Sequence, residues 1–282
     1  MSRSSSASFS SAQSGDSGRG PAGVQLHSVS LLKLPTVTLC AATSVNLSAT
    51  LGALRACLDQ AEFAECLLFT DAVEFASDPA IRTVPIARLN SSQDYSKFIL
   101  RELGDHIRTE HCLIVQWDGF ILDAHQWTSD FLEYDYIGAP WPQFSDGHDV
   151  GNGGFSLRSR RLLEACRDPS FREEHPEDIA ICRTNRALLE SEHGIRFADR
   201  STAGHFAIER TEATGPTFGF HGIFNMSDAL GPDRFWQVYS TLDDRRTAFT
   251  DYGLLMRQLG RGRKPMARRA RLTWDRAANF FS

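Results

Sequence analysis

From residue 34 to about 120, short continuous apolar runs alternate with segments whose apolar residues recur at helical spacing. Thr36-Val37-Thr38-Leu39-Cys40-Ala41-Ala42 reads as a strand buried on both faces, and Leu51, Leu54 and Leu58 mark one face of a helix over 48–60. Cys66-Leu67-Leu68-Phe69-Thr70-Asp71 reads as a second strand stopped by Asp71, and 81–86 as a third. A helix over 94–107 follows, with Phe98, Leu100, Leu103 and Ile107 facing the core, and then a strand over 111–116. Strands and helices in this order predict right-handed βαβ units and a parallel sheet. Beyond Asp118 the apolar segments shorten (120–122, 136–138, 155–157 and 206–208) and are broken by Gly, Pro and polar loops. Helices are expected over 159–166, 178–192, 232–240 and 243–259. With no internal repeat and no long linker, the expectation is one α/β domain over 34–256. Its sheet should be mostly parallel and Rossmann-like, with helices on both faces.

Composition changes this picture at the two ends. Eleven of the first thirty residues are Ser, interleaved with Gly and Ala, so residues 1–33 are expected to be a disordered tail. The chain of 282 residues carries −5 overall, but 257–276 holds eight Lys or Arg and a single acid, Asp275. That segment is +7 and the remainder −12. A basic tail over 257–282 on an acidic body fits peripheral contact with an anionic membrane; a plain solubilising end is the alternative. Nucleic acid is not expected as a partner. The six cysteines show neither zinc nor redox spacing and sit in apolar runs, which fits a reduced, cytoplasmic compartment. No apolar run approaches the roughly 18 residues that a bilayer span needs.

Several classes are excluded by missing motifs. The chain has no G-x-x-x-x-G-K-[ST] loop, no G-x-G-x-x-G after its first strand and no G-x-S-x-G elbow. A nucleotide site would therefore be assembled from separated strand ends.

Four segments carry the candidate chemistry. Asp118 closes the run Leu113-Ile114-Val115-Gln116-Trp117 and precedes Gly119. A carboxylate at a strand's carboxyl end suits Mg²⁺ or Mn²⁺ bridging phosphates, although Asp-Gly is also a plain turn. Gly151-Asn152-Gly153-Gly154 places three glycines in four residues, an entropic cost recovered where the chain turns sharply or lets something approach its backbone. Pro176-Glu177-Asp178 sets two carboxylates at a helix start, either capping it or poised to deprotonate a hydroxyl. Phe218-Gly219-Phe220-His221-Gly222 puts a histidine between glycines, as a core residue or as a ligand. Lys97 and Arg158 read either as phosphate contacts or as ordinary surface charges. Trp141, between Pro140 and Pro142, reads as a sugar-stacking platform or a loop anchor.

The order of these segments resembles the GT-A class of nucleotide-sugar glycosyltransferases, and within it a family of GT-A-like domains of unknown function. Gln116 to Phe120, Tyr136 to Trp141, Gly151 to Arg160, Pro176 to Asp178 and Phe218 to Gly222 carry the resemblance. It implies a GT-A-like domain that transfers a sugar from a nucleotide-sugar donor, with UDP favoured, to a hydroxyl of a carbohydrate or glycoconjugate acceptor. It also implies Asp118 and His221 as ligands of Mn²⁺ or Mg²⁺, and Glu177 or Asp178 as the base of an inverting displacement. Asn152, Gly153, Gly154, Arg158, Lys97 and Trp141 would contact donor or acceptor, and Thr43 and Asp71 would face the nucleoside. The Asp-x-Asp of that class stands here as Gln116-Trp117-Asp118, which keeps an oxygen acceptor but loses one negative charge. Two rivals are a sugar-phosphate nucleotidyltransferase and a non-catalytic nucleotide- or carbohydrate-binding module with a degenerate metal site. The former is disfavoured because the turn Ala42 to Asn46 lacks glycine and lysine.

Overall fold

The structure is a computed structural model that describes residues 30–72, 78–211 and 215–280. The serine-rich segment therefore lies outside the described residues, apart from its last few positions. The first strand, β1 (Leu32–Ala42), starts inside the expected tail, because Leu32 and Lys33 already pair with Ala61 and Glu62 of β2 (Ala61–Thr70). Pro35, which has no amide to donate, falls where the β1–β2 register shifts.

Helix α1 (Leu47–Leu58) connects these strands; β3 (Arg82–Pro85), α2 (Ser92–Arg101) and β4 (His111–Val115) follow. Helix α2 begins where Ser91 accepts the Asp94 amide while Asp94 accepts that of Asn90, so two otherwise open amides are satisfied. The short strands β5 (Phe120–Ile121), β6 (Tyr136–Ile137), β7 (Ala139–Pro140) and β8 (Val150–Gly151) lead into β9 (Phe155–Ser159) and α3 (Arg160–Ala165), which Ser159 caps. The expected helix over 178–192 is broken. It comprises a turn α4 (Glu177–Ile179), a π-type turn (Ala180–Thr184) and α5 (Arg186–Ser191). After α6 (Arg200–Phe206), β10 (Ala207–Ile208) and β11 (Gly219–Phe220) come α7 (Ile223–Leu230), α8 (Pro232–Thr241), α9 (Arg246–Thr250), α10 (Tyr252–Gln258) and α11 (Pro265–Phe280).

The main sheet runs β3-β2-β1-β4-β9-β6. Strands β3, β2, β1 and β4 are parallel, and β9 is antiparallel to both its neighbours. Side chains of β1 alternate between two cores. Leu39 and Ala41 pack with Leu51 and Leu54 of α1, whereas Cys40 and Ala42 pack with Phe98 of α2 and Leu103. The domain is thus mixed α/β, with a mostly parallel sheet covered by helices on both faces. The basic segment is not a free tail: Leu272 of α11 is 1% exposed and joins the core, so 257–280 belongs to the same compact unit as the rest.

Candidate functional site

Parallel pairing brings the carboxyl ends of β1, β2 and β4 to one edge of the sheet, and with them Thr43, Asp71 and Asp118. Because β9 runs the other way, its first residue, Phe155, pairs with the last residue of β4, Val115. The glycine segment therefore sits at the same edge, and the Gly154 carbonyl accepts the Gln116 amide at 2.9 Å. A second small sheet, β10-β11-β5, pairs Phe220 with Phe120 and carries His221 to Asp118. The Gly222 amide donates to the Asp118 carbonyl at 3.0 Å, and the His221 amide to Ile208 at 2.9 Å, which sets Glu209 beside the histidine ring.

Asp118 Oδ1 and His221 Nε2 stand 3.4 Å apart, and neither has a hydrogen-bond partner. On the ring's far side Nδ1 lies 3.3 Å from Glu209 Oε1. Burial disfavours an imidazolium here, yet the Asp118 and Glu209 carboxylates outweigh it and push His221 up to about 10. A cavity of about 230 Å³ opens beside this group, walled by Gln116, Trp117, Glu209 and Arg210. Arg210 is fixed by Asp251 and lies over the Phe224 ring, 3.9 Å from its centroid.

The glycine segment separates this group from a second one. A Cβ on Gly154 would stand 2.1 Å from His221 Nε2, and one on Gly153 would stand 2.1 Å from Glu177 Oε1. Both positions are already filled by those side chains, so the two glycines are demanded by close approach. Asn152, at φ 75°, turns the chain; its Oδ1 accepts the Gly154 amide and its carbonyl accepts the Tyr136 hydroxyl. Beneath the loop, Glu177 Oε1 pairs with Arg158 at 3.0 Å, and the other oxygen accepts from Ser96 at 3.4 Å. Arg158 is fully buried, donates to Ser156 and lies over the Tyr136 ring. Asp178 differs: its carboxylate accepts the Gly153 amide at 3.1 Å and its side chain is only half-buried. Desolvation by its dense surroundings, then the Glu177 charge, raise Asp178 to about 6 against the opposing pull of Arg158.

The structure therefore gathers Asp118, His221, Asn152, Gly153, Gly154, Glu177 and Asp178 around one loop. Thr43 and Asp71 share the sheet edge, where Ser44 and then Arg88 hold the Asp71 carboxyl below its ordinary range. Two side chains take their plainer reading and a third takes neither. Lys97 is exposed on α2, as the surface-charge reading has it, while Ser96, Phe98, Ile99 and Leu100 of the same helix are buried. Arg158 is neither a phosphate contact nor a surface charge, because its strand points it under the loop onto Glu177. Trp141 is 5% exposed and lies where a Gly151 side chain would be, so its ring is a loop anchor with no face for a sugar. Glu209 and Arg210 were missed. Glu209 follows Phe206 to Ile208 as Asp118 follows its own apolar run, so the strand-end reading applied there would have found it.

The cation expected at Asp118 and His221 can be tested against donor chemistry. A buried carboxylate oxygen and a ring nitrogen face one another at 3.4 Å with no other partner, and a carboxylate holds the opposite nitrogen of the ring, the arrangement that orients metal-bound histidines. Carboxylate oxygen and imidazole nitrogen are donor types that divalent cations accept. Among the described residues no group of three or more His, Cys, Asp or Glu side chains is placed to hold a metal ion. Gln116, the first position of the Gln116-Trp117-Asp118 segment, lines the cavity beside the pair.

Fold and site together define a mixed α/β domain with a carboxylate–histidine pair and a glycine loop at the carboxyl edge of its sheet. The chain belongs to the family described as "Protein of unknown function (DUF5672)", which matches residues 78–221. No curated protein matches it. Among solved structures it is similar to the apo-form glycosyltransferase GlyE of Streptococcus pneumoniae TIGR4 (11% identity, 77% of this chain and 63% of that one, TM-score 0.41). It is also similar to the bifunctional IspDF of Campylobacter jejuni (9% identity, 57% and 48%, TM-score 0.34). A third is A197 from STIV (17% identity, 57% and 79%, TM-score 0.31). The chain thus spans less than two thirds of the length of GlyE.

Proposed function

We propose that the protein transfers a sugar from a nucleotide-sugar donor, a UDP-sugar by preference, to a hydroxyl of a carbohydrate or glycoconjugate acceptor. One observation carries this reading: Asp118 Oδ1 and His221 Nε2 face each other as an ion pair at 3.4 Å beside a cavity, with Gly154 of the glycine loop against the ring. Asp118 and His221 would hold Mn²⁺ or Mg²⁺, and Glu209 would fix the ring for that task. A divalent cation bound there supplies charge neutralisation for a departing nucleoside diphosphate. Asp178, half-open and raised toward neutrality, is placed to take the acceptor hydroxyl's proton as that oxygen attacks the anomeric carbon, with inversion. Glu177, spent on Arg158, positions rather than reacts.

The test is release of nucleoside diphosphate from a panel of nucleotide sugars offered with acceptor saccharides, with and without Mn²⁺. Turnover that depends on Asp118 supports the reading. Donor binding without turnover across the panel would replace it with a non-catalytic nucleotide-binding module, the second reading, which the two-donor cation site favours. Pyrophosphate release from a nucleoside triphosphate and a sugar phosphate would replace it with a nucleotidyltransferase.

A further inference from the structure

Helix α11 has two unlike faces. Inward, Leu272 is buried, Arg268 pairs with Asp233 at 2.6 Å, and Asp275 binds Arg271 at 2.7 Å and the Tyr239 hydroxyl at 3.0 Å. Outward, Met266, Ala270 and Trp274 follow one another at intervals of four residues, flanked by Ala267, Ala277 and Ala278. No charge interrupts that stripe. Among the described residues, Met266 at 75% and Trp274 at 72% are the most exposed large apolar side chains, and both belong to this single helix. Isolated exposed apolar residues are ordinary, but two of them aligned on a helix otherwise faced with alanine form a patch that something covers.

The charges around the stripe indicate what covers it. Arg261, Arg263 and Lys264 are exposed immediately before the helix, and Arg271 projects at its side. The segment 257–276 carries +7 while the rest of the chain carries −12. An anionic surface is therefore attracted to this end and repelled elsewhere, so the protein approaches in one orientation. A tryptophan, a methionine and a row of alanines between cations form the pattern of a helix lying in the headgroup region, its apolar face shallowly inserted and its cations at lipid phosphates.

We propose that the outer face of α11 docks on an anionic phospholipid bilayer, with Trp274 and Met266 inserted and Arg261, Arg263 and Lys264 on the headgroups. The helix joins the domain through its buried face, so docking needs no unfolding. The transferase reading plays no part in this proposal, and either stands without the other.

Co-sedimentation of the full chain with phosphatidylcholine vesicles, with and without phosphatidylserine, tests it. Binding is expected only with phosphatidylserine, weakening as salt rises, and with a blue shift of tryptophan emission. Replacing Arg261, Arg263 and Lys264 together by Gln should weaken binding on the order of 100-fold. Trp274→Ser with Met266→Ser should weaken it about tenfold and remove the blue shift. Both variants change exposed side chains, and an unchanged thermal melt verifies that they fold. A wild-type chain that stays in the supernatant with phosphatidylserine vesicles overturns the proposal, as do variants that sediment like wild type. So does a solution dimer that Trp274→Ser dissolves, which would give the face to a second copy.

Discussion

The two sides of the Asn152-Gly153-Gly154 loop hold similar residue types under opposite terms. On one side Asp118 and His221 present a carboxylate oxygen and a ring nitrogen with no hydrogen-bond partner, beside an open cavity. On the other, Glu177 spends its carboxylate on Arg158 and Ser96 with almost no surface left. The first pair faces a cavity, whereas the second is closed off from solvent and holds the loop's shape. Asp178 stands between the two conditions: its oxygens accept the Gly153 and Ile179 amides, and its side chain is half-buried.

Each half of that contrast can be broken separately. The largest effect is expected from Asp118→Asn, which should lower sugar transfer on the order of 1000-fold, with some loss of stability because His221 loses its ion-pair partner. Retained turnover would move the reacting centre elsewhere. Arg158→Met leaves the Glu177 charge buried and alone, so urea unfolding should show a loss of about 3 to 5 kcal/mol, and adding Glu177→Gln should restore most of it. A double variant no more stable than the single one would deny that the pair is what supports the loop.

Asp178→Asn should cut the maximal rate about 100-fold with donor affinity kept. The same residue sets the pH dependence. A base works deprotonated, so transfer should fall as pH drops through about 6, and Asp178→Asn should flatten that limb. For stability the sign is opposite. A carboxyl raised in the folded state favours folding while protonated, and that contribution disappears as pH rises through about 6. The smallest change, Glu209→Gln, should weaken Mn²⁺ binding about tenfold, read by calorimetry, because it only loosens the ring that the cation would use.

Much of this was legible in the residues because strands buried on both faces read as unbroken apolar runs. β1, β2 and β4 announced themselves so, and Asp118 followed from where β4 ends. The glycine segment was equally plain, since three glycines in four positions have few structural uses. What stayed hidden depended on register. Nothing local says that β9 runs antiparallel to β4, and only that pairing turns Arg158 under the loop. Trp141 stayed open for the same reason: its ring finds room only because Gly151, across a β7–β8 pair, has no side chain. Glu209 was legible as the carboxylate that ends the apolar run Phe206 to Ile208, although β10 itself is only two residues long.

The glycine pair also constrains how this sequence can drift. Position 154 is sterically tied to 221, and position 153 to 177, across 67 and 24 residues of chain. A methyl group acquired at 154 requires a smaller residue at 221, and a methyl at 153 requires a shorter one at 177. Substitutions at those four sites should therefore appear in matched couples among descendants of this gene, and a laboratory selection for revertants of Gly154→Ala should return changes at 221.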